Sequence, residues 1–246
     1  MCCFSGAVSA VANTNIFARL SSQGSQYLVY NMTFSASADL AMILPLPVPK
    51  NSIETAVRFI SLAAYPNFFA ELDRPFSPPP SRATRAIAAS PQRAPLKVFS
   101  VGSFDASFVP TLNDFQRLDP HFSLPASVWR SLPGYQDYGF AVFKLKCGDV
   151  TVHPMAFEFP TIQPELLFFP TLHIHDGAIH AAASYDHSLY CQIGSDRNYL
   201  FQAWERATSL PASYMEIEAA QGIIEPESYC YKVGIHGTYR NQDCWI

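Results

Sequence analysis

The chain has 246 residues and a mass of 27.3 kDa; it is 49% hydrophobic and only 15% charged, with 20 prolines and 14% aromatics. That is enough apolar material for a sizeable core, which excludes collagen-like, coiled-coil and largely disordered chains. A formal charge of −4, from 20 acidic and 16 basic side chains, gives no global attraction to phosphate backbones.

Residues 1–20 lack the basic start of a secretory signal, and no stretch reaches 18 uninterrupted apolar residues. The expected setting is therefore cytoplasmic, with neither a membrane nor a nucleic acid as partner. Tyr27–Phe34, rich in aromatic and β-branched residues, predicts a strand. Leu40–Val48 predicts a buried strand that gives way to extended chain, because Pro45, Pro47 and Pro49 cannot sit in a central strand. Asn51-Ser52-Ile53-Glu54 has the pattern of a capping box, opening a helix with Ile53, Val57, Ile60 and Ala64 on one face. Pro66 ends it and starts a second turn bearing Phe68, Phe69 and Leu72.

Residues 74–97 differ in kind: six prolines, five basic residues and no acid. Such a stretch buries little and predicts an exposed connection, able to dock on an acidic surface of its own protein. Leu96–Phe104 predicts a strand, and 105–135 short helical pieces around Pro125, Val128, Trp129 and Leu132. Tyr138–Leu145 has strand composition, turns at Lys146-Cys147-Gly148-Asp149, and predicts Val150–Phe159 as its antiparallel partner. Leu166–His175 continues the sheet to a turn at Asp176-Gly177. Ser195 or Asp196 caps a helix to about Thr208, and the tail, Tyr229–Val233 and Gly234–Trp245, predicts a final hairpin. The run from Tyr30 to Pro45 echoes that from His153 to Pro170, which is compatible with two related β-rich halves.

Four of the seven histidines fall between 173 and 187. On a strand, the two-residue period places His173 and His175 on one face. His187 returns on a neighbouring strand, with His180 on the connection. A His-x-His face with a third imidazole is a geometry for zinc, iron or copper, and a divalent transition metal is the cofactor this pattern implies. His173, His175, His187 and His180 are then the candidate ligands. Asp186 is a candidate base or orienting carboxylate, and His153 a candidate acid–base or outer partner. Histidines that merely line a polar sheet edge, bonded to Asp176 and Asp186, would carry the same spacing.

Cys2 is chemically distinct from the other five cysteines. Loss of Met1 would make it N-terminal, with its thiol as nucleophile and its own α-amine as base. In Cys2 and Arg19 the start of the chain resembles the N-terminal-nucleophile hydrolases, where an arginine near this point supports the catalytic cysteine. Here Leu20-Ser21-Ser22 follow Arg19 where that family has Asp, and Asn31 and Asn198 are candidate oxyanion groups. The resemblance implies an amidohydrolase of conjugated or amide substrates. The runs MCCFSG, LAMILPLPVP, YGFAVFKL, HPMAFEFP and LFFPTLHIHDG together resemble an uncharacterised conserved family, which implies no activity. No CxxC, GxGxxG, GxxxxGK[ST] or GxSxG is present, so Cys147, Cys191 and Cys230 read as buried free thiols, Cys244 as a reactive or paired one, and no nucleotide-binding loop is indicated.

These features predict an α+β fold: a mostly antiparallel sheet with short flanking helices. It forms one domain over 1–246, with sub-lobes 1–73 and 96–246 joined by 74–97. The function they point to is a metal-dependent enzyme, a hydrolase or oxidoreductase whose His-x-His site activates water or dioxygen on a small-molecule or peptide substrate. Two alternatives stand beside it: an amidohydrolase using Cys2, and a non-catalytic ligand-binding or structural protein. Oligomeric state is left open.

Overall fold

The computed structural model describes residues 3–76, 99–101, 104–193 and 203–246. In chain order the elements begin with β1 (Cys3–Phe4), β2 (Ala10–Leu20), β3 (Ser25–Ala36), β4 (Leu40–Leu46), β5 (Arg58–Ser61) and α1 (Phe68–Leu72). They continue with β6 (Phe99–Val101), β7 (Phe104–Val109), α2 (Ala126–Arg130), β8 (Gly139–Leu145), β9 (Gly148–Thr151) and β10 (Met155–Pro160). The last are β11 (Phe168–Phe169), β12 (Ala182–Gln192), β13 (Glu205–Arg206), β14 (Cys230–Arg240) and β15 (Cys244–Trp245). The fold is mostly antiparallel β-sheet. That agrees with the expected mostly antiparallel sheet with short flanking helices; among the described residues the two α-helices have five residues each, so the coarser description, β-rich, is the one the structure supports.

Two sheets account for most of the strands. The smaller runs β1-β4-β8-β7-β6; the larger runs β13-β14-β12-β2-β3-β10-β5, with β9 also on β3. The pairing of β12 with β2 is the one parallel strand pair among the described residues. Alternation builds the core between the sheets. On β3, Leu28, Tyr30, Met32 and Phe34 face Met42 and Leu44 of β4, Phe143 of β8 and Phe157 of β10 in one cluster. The opposite faces are covered too. Phe17, Val29 and Tyr190 pack on Phe68 and Leu72 of α1 and on Ile223, while Ala41, Ile43 and Phe140 pack on Phe115 and Trp129. Burial on both faces is why β4 reads LAMILPL with every residue buried, instead of alternating with polar ones.

Several local expectations give way to pairing across the molecule. The capping-box segment makes turns, with Ile53 69% exposed, and the chain then enters β5, where Ile60 pairs with Ala156 of β10. A strand neighbour outweighs the local helix signal there. Val150–Phe159 does not fold back on β8; it crosses to the larger sheet and pairs with β3 through β9 and β10. The tail contains no turn at Gly234, because β14 runs unbroken against β12 from Cys230 to Arg240. Pro45 is accommodated in β4 because β1 pairs only with Met42 and Ile43, so at Pro45 the strand has one neighbour, β8. The helix expected over 195–208 is replaced at its end by β13; its start, the linker beyond Phe76 and Asn198 lie outside the described residues.

Candidate functional site

The histidine segment is held from two sides. Toward β1, Cys3 bridges Ile174, and the Phe4 N–H donates to the Ile174 carbonyl at 2.9 Å. On the other side Asn241, just past β14, brackets His173: its Oδ1 accepts the His173 N–H at 2.7 Å and its Nδ2 donates to the His173 carbonyl at 2.8 Å. Asp243 Oδ1 accepts the N–H groups of Thr171 and Leu172 at 2.7 and 2.8 Å. Residues 170–175 therefore form no regular strand. Side-chain acceptors from the C-terminal segment do what a neighbouring strand would do.

This scaffold brings three of the expected histidines together as a stack. The His173 and His175 rings lie 5.1 Å apart at 14°, and those of His173 and His187 lie 5.3 Å apart at 21°. Tyr185 touches His173 at 4.3 Å, and Phe4 covers His175 at 5.5 Å. The Nε2 atoms of all three imidazoles are buried without a hydrogen-bond partner. The Asp186 N–H donates to His187 Nδ1 at 3.1 Å, which assigns the single ring proton of His187 to Nε2. Burial holds all three rings neutral: it lowers His173 to about 2 and His175 to about 4, and depresses His187 as well.

Among the described residues no group of three His, Cys, Asp or Glu side chains is placed to hold a metal ion. His180 stands apart, exposed and paired with Asp176 at 2.9 Å beside the Asp176-Gly177 turn. His153 stacks on Phe104 at 4.5 Å, between the sheets. Asp186 accepts the Asn13 N–H and pairs with His236 at 3.3 Å, so its carboxylate points away from its expected role on His187. Cys2 lies outside the described residues. Arg19 donates to the carbonyls of Gly222 and Ile223, a structural use of its guanidinium. Phe4, Asn241 and Asp243 complete the site; the composition of the tail, read as a hairpin, carried no sign of the last two.

No family model matches the chain, and no curated protein matches it. Solved structures do. The likeness is one of fold. Baculovirus P35 aligns with a TM-score of 0.51 at 16% identity, covering 99% of this chain and 98% of that one. A mutated baculovirus P35 after caspase cleavage aligns with a TM-score of 0.51 at 15% identity, covering 95% and 99%. This likeness, with the absence of a metal-holding group among the described residues, overturns the metal-dependent hydrolase or oxidoreductase with its His-x-His centre. Among the described residues no helix is long and apolar enough to cross a membrane.

Proposed function

We propose that this chain is a caspase-binding protein, engaged through its surface by a protease and carrying no catalytic centre of its own. The observation that supports the reading is the likeness to P35 along nearly the full length of both chains, with one of the two neighbours a P35 that a caspase has cut. The histidine stack adds no sign of an enzyme to this reading, since the Nε2 atoms of all three imidazoles are buried.

The test is inhibition. Purified chain is titrated against a panel of active caspases while hydrolysis of a fluorogenic peptide is followed. The expected result is loss of activity of at least one caspase at near-stoichiometric ratio. Mass spectrometry of the mixture locates any cut. Caspases cut after aspartate, and none of the chain's eleven aspartates falls within 74–97. Full activity of every caspase at tenfold molar excess of the chain, with no complex on gel filtration, would overturn the proposal.

A further inference from the structure

We propose that the open edge of β14 is a self-association surface, on which a second copy of this chain adds its own β14 antiparallel about a two-fold axis. The alternation of the strand defines that edge. The Cys230 carbonyl accepts the Ala207 N–H and Lys232 pairs with Glu205 of β13, so the even-numbered residues direct their backbone groups away from β12. Asn241, odd-numbered, donates its N–H to the Ala181 carbonyl on the β12 side, as the same alternation requires. β13 covers only Tyr231 and Lys232. Beyond it Gly234, His236, Thr238 and Arg240 face outward, all exposed. Of their backbone groups only the Arg240 carbonyl has a partner among the described residues, the Tyr185 hydroxyl at 3.1 Å. Between Gly234 and Arg240 there is no proline, lysine or slip in register, the devices that keep a free edge from pairing.

One register satisfies the side chains. With Gly237 on the axis, His236 pairs with the partner's Thr238, and Gly234 with the partner's Arg240. Gly237 then meets its own copy in a non-hydrogen-bonded pair, where Cα atoms approach to about 4.5 Å. Ile235 and the partner's Tyr239 form the next such pair, the position at which facing side chains come closest. Tyr239 is 52% exposed beside Tyr185, whereas Ile235 is half-buried against the main core, so the pair extends that core across the axis. Charge agrees with this register. β13 is collinear with the added strand, and exposed Glu205, opposite Lys232, lies on the same face as the partner's Arg240, opposite Gly234.

The neighbouring registers fail. An axis at His236 sets two imidazoles face to face and sends the partner's Arg240 to Lys232, where Glu205 already sits. An axis at Thr238 sets His236 against the partner's Arg240, a like-charge pair in mild acid. An edge this short buries less than the roughly 1,200 Å² of a stable interface, so the dimer is weak, with Kd on the order of 10–100 μM.

Sedimentation velocity of the full chain, from about 1 to 300 μM, measures the association. The expected weight-average mass rises from 27.3 kDa toward twice that value across the range. Thr238→Pro removes an N–H that points outward and leaves the bonds between β12 and β14 in place; it should weaken association at least tenfold. If that variant does not fold, Arg240→Glu replaces it: a carboxylate set near Glu205 should weaken association roughly threefold. Disulfide trapping reads the register. Oxidised Ile235→Cys/Tyr239→Cys should give a covalent dimer linked between positions 235 and 239, while Val233→Cys/Tyr239→Cys should not. The proposal is overturned if the wild-type chain stays monomeric at the highest concentration or if the edge variant associates as the wild type does. Trapping of the 233/239 pair as readily as the 235/239 pair would overturn it too.

Discussion

At the scale of single residues, Gln26 does the work of a missing strand. It is fully buried on β3; its Nε2 donates to the Phe168 carbonyl at 2.7 Å and its Oε1 accepts the Phe168 N–H at 2.9 Å. Replacing it by Leu keeps most of the volume and leaves a buried N–H and C=O without partners. The expected loss is about 2–4 kcal/mol, read as a lowered urea midpoint at unchanged slope. A loss below about 1 kcal/mol would mean that water takes over both bonds. Gly139 makes the opposite demand, for absence of a side chain. A Cβ there would stand 2.5 Å from Phe108 Cε2 and 2.9 Å from Val48 Cγ2, so Gly139→Ala should cost about 1–3 kcal/mol by overpacking. Neither requirement is visible in the sequence, where Gln26 looks like a solvated strand residue and Gly139 like a loose strand start.

At the scale of elements, the C-terminal segment is the clamp for the histidine segment. β15 pairs with β11, Asp243 caps Thr171 and Leu172, and Asn241 brackets His173. Asp243→Ala should destabilise the protein by about 2–3 kcal/mol and speed amide exchange across 168–173, while Asp243→Asn, which keeps an acceptor at Oδ1, should restore most of both. Equal effects of the two substitutions would place the value of Asp243 in its charge. The sequence made 27–34 and 139–145 legible as strands because their β-branched and aromatic content agrees with where they are used, and the start of β4 legible by its apolar run. It misled at 51–64, where a sound helix start is followed by residues that a sheet edge claims.

At the scale of the whole molecule, pH is the lever. His173, His175 and His187 are neutral when folded but take up protons below about 6.5 when unfolded, so their contribution is full above that pH and lost as pH falls. Asp243, raised to about 6, works the other way, stabilising the fold as pH falls from 6 toward 4. Three protons gained on unfolding against one released leave a net of two, so stability should fall by about 2.7 kcal/mol per pH unit between pH 6 and 4. Denaturant titrations at half-unit intervals measure this slope; a flat profile would show that the rings are not buried as a neutral stack.

By itself the sequence determined that the chain is β-rich and core-forming, and that three histidines could meet: a two-residue spacing and a return strand suffice for that. It did not determine what the meeting makes. Ligand sets and stacked neutral rings share one spacing, and the angle between ring planes is set by Phe4, Tyr185 and Asn241, which arrive from three distant parts of the chain. Only the tertiary structure decided the strand partners as well. Local pattern reports which face of a strand is apolar, but pairing is chosen by backbone hydrogen bonds and packing across more than a hundred residues, as when β10 leaves its sequence neighbour β8 to join β3.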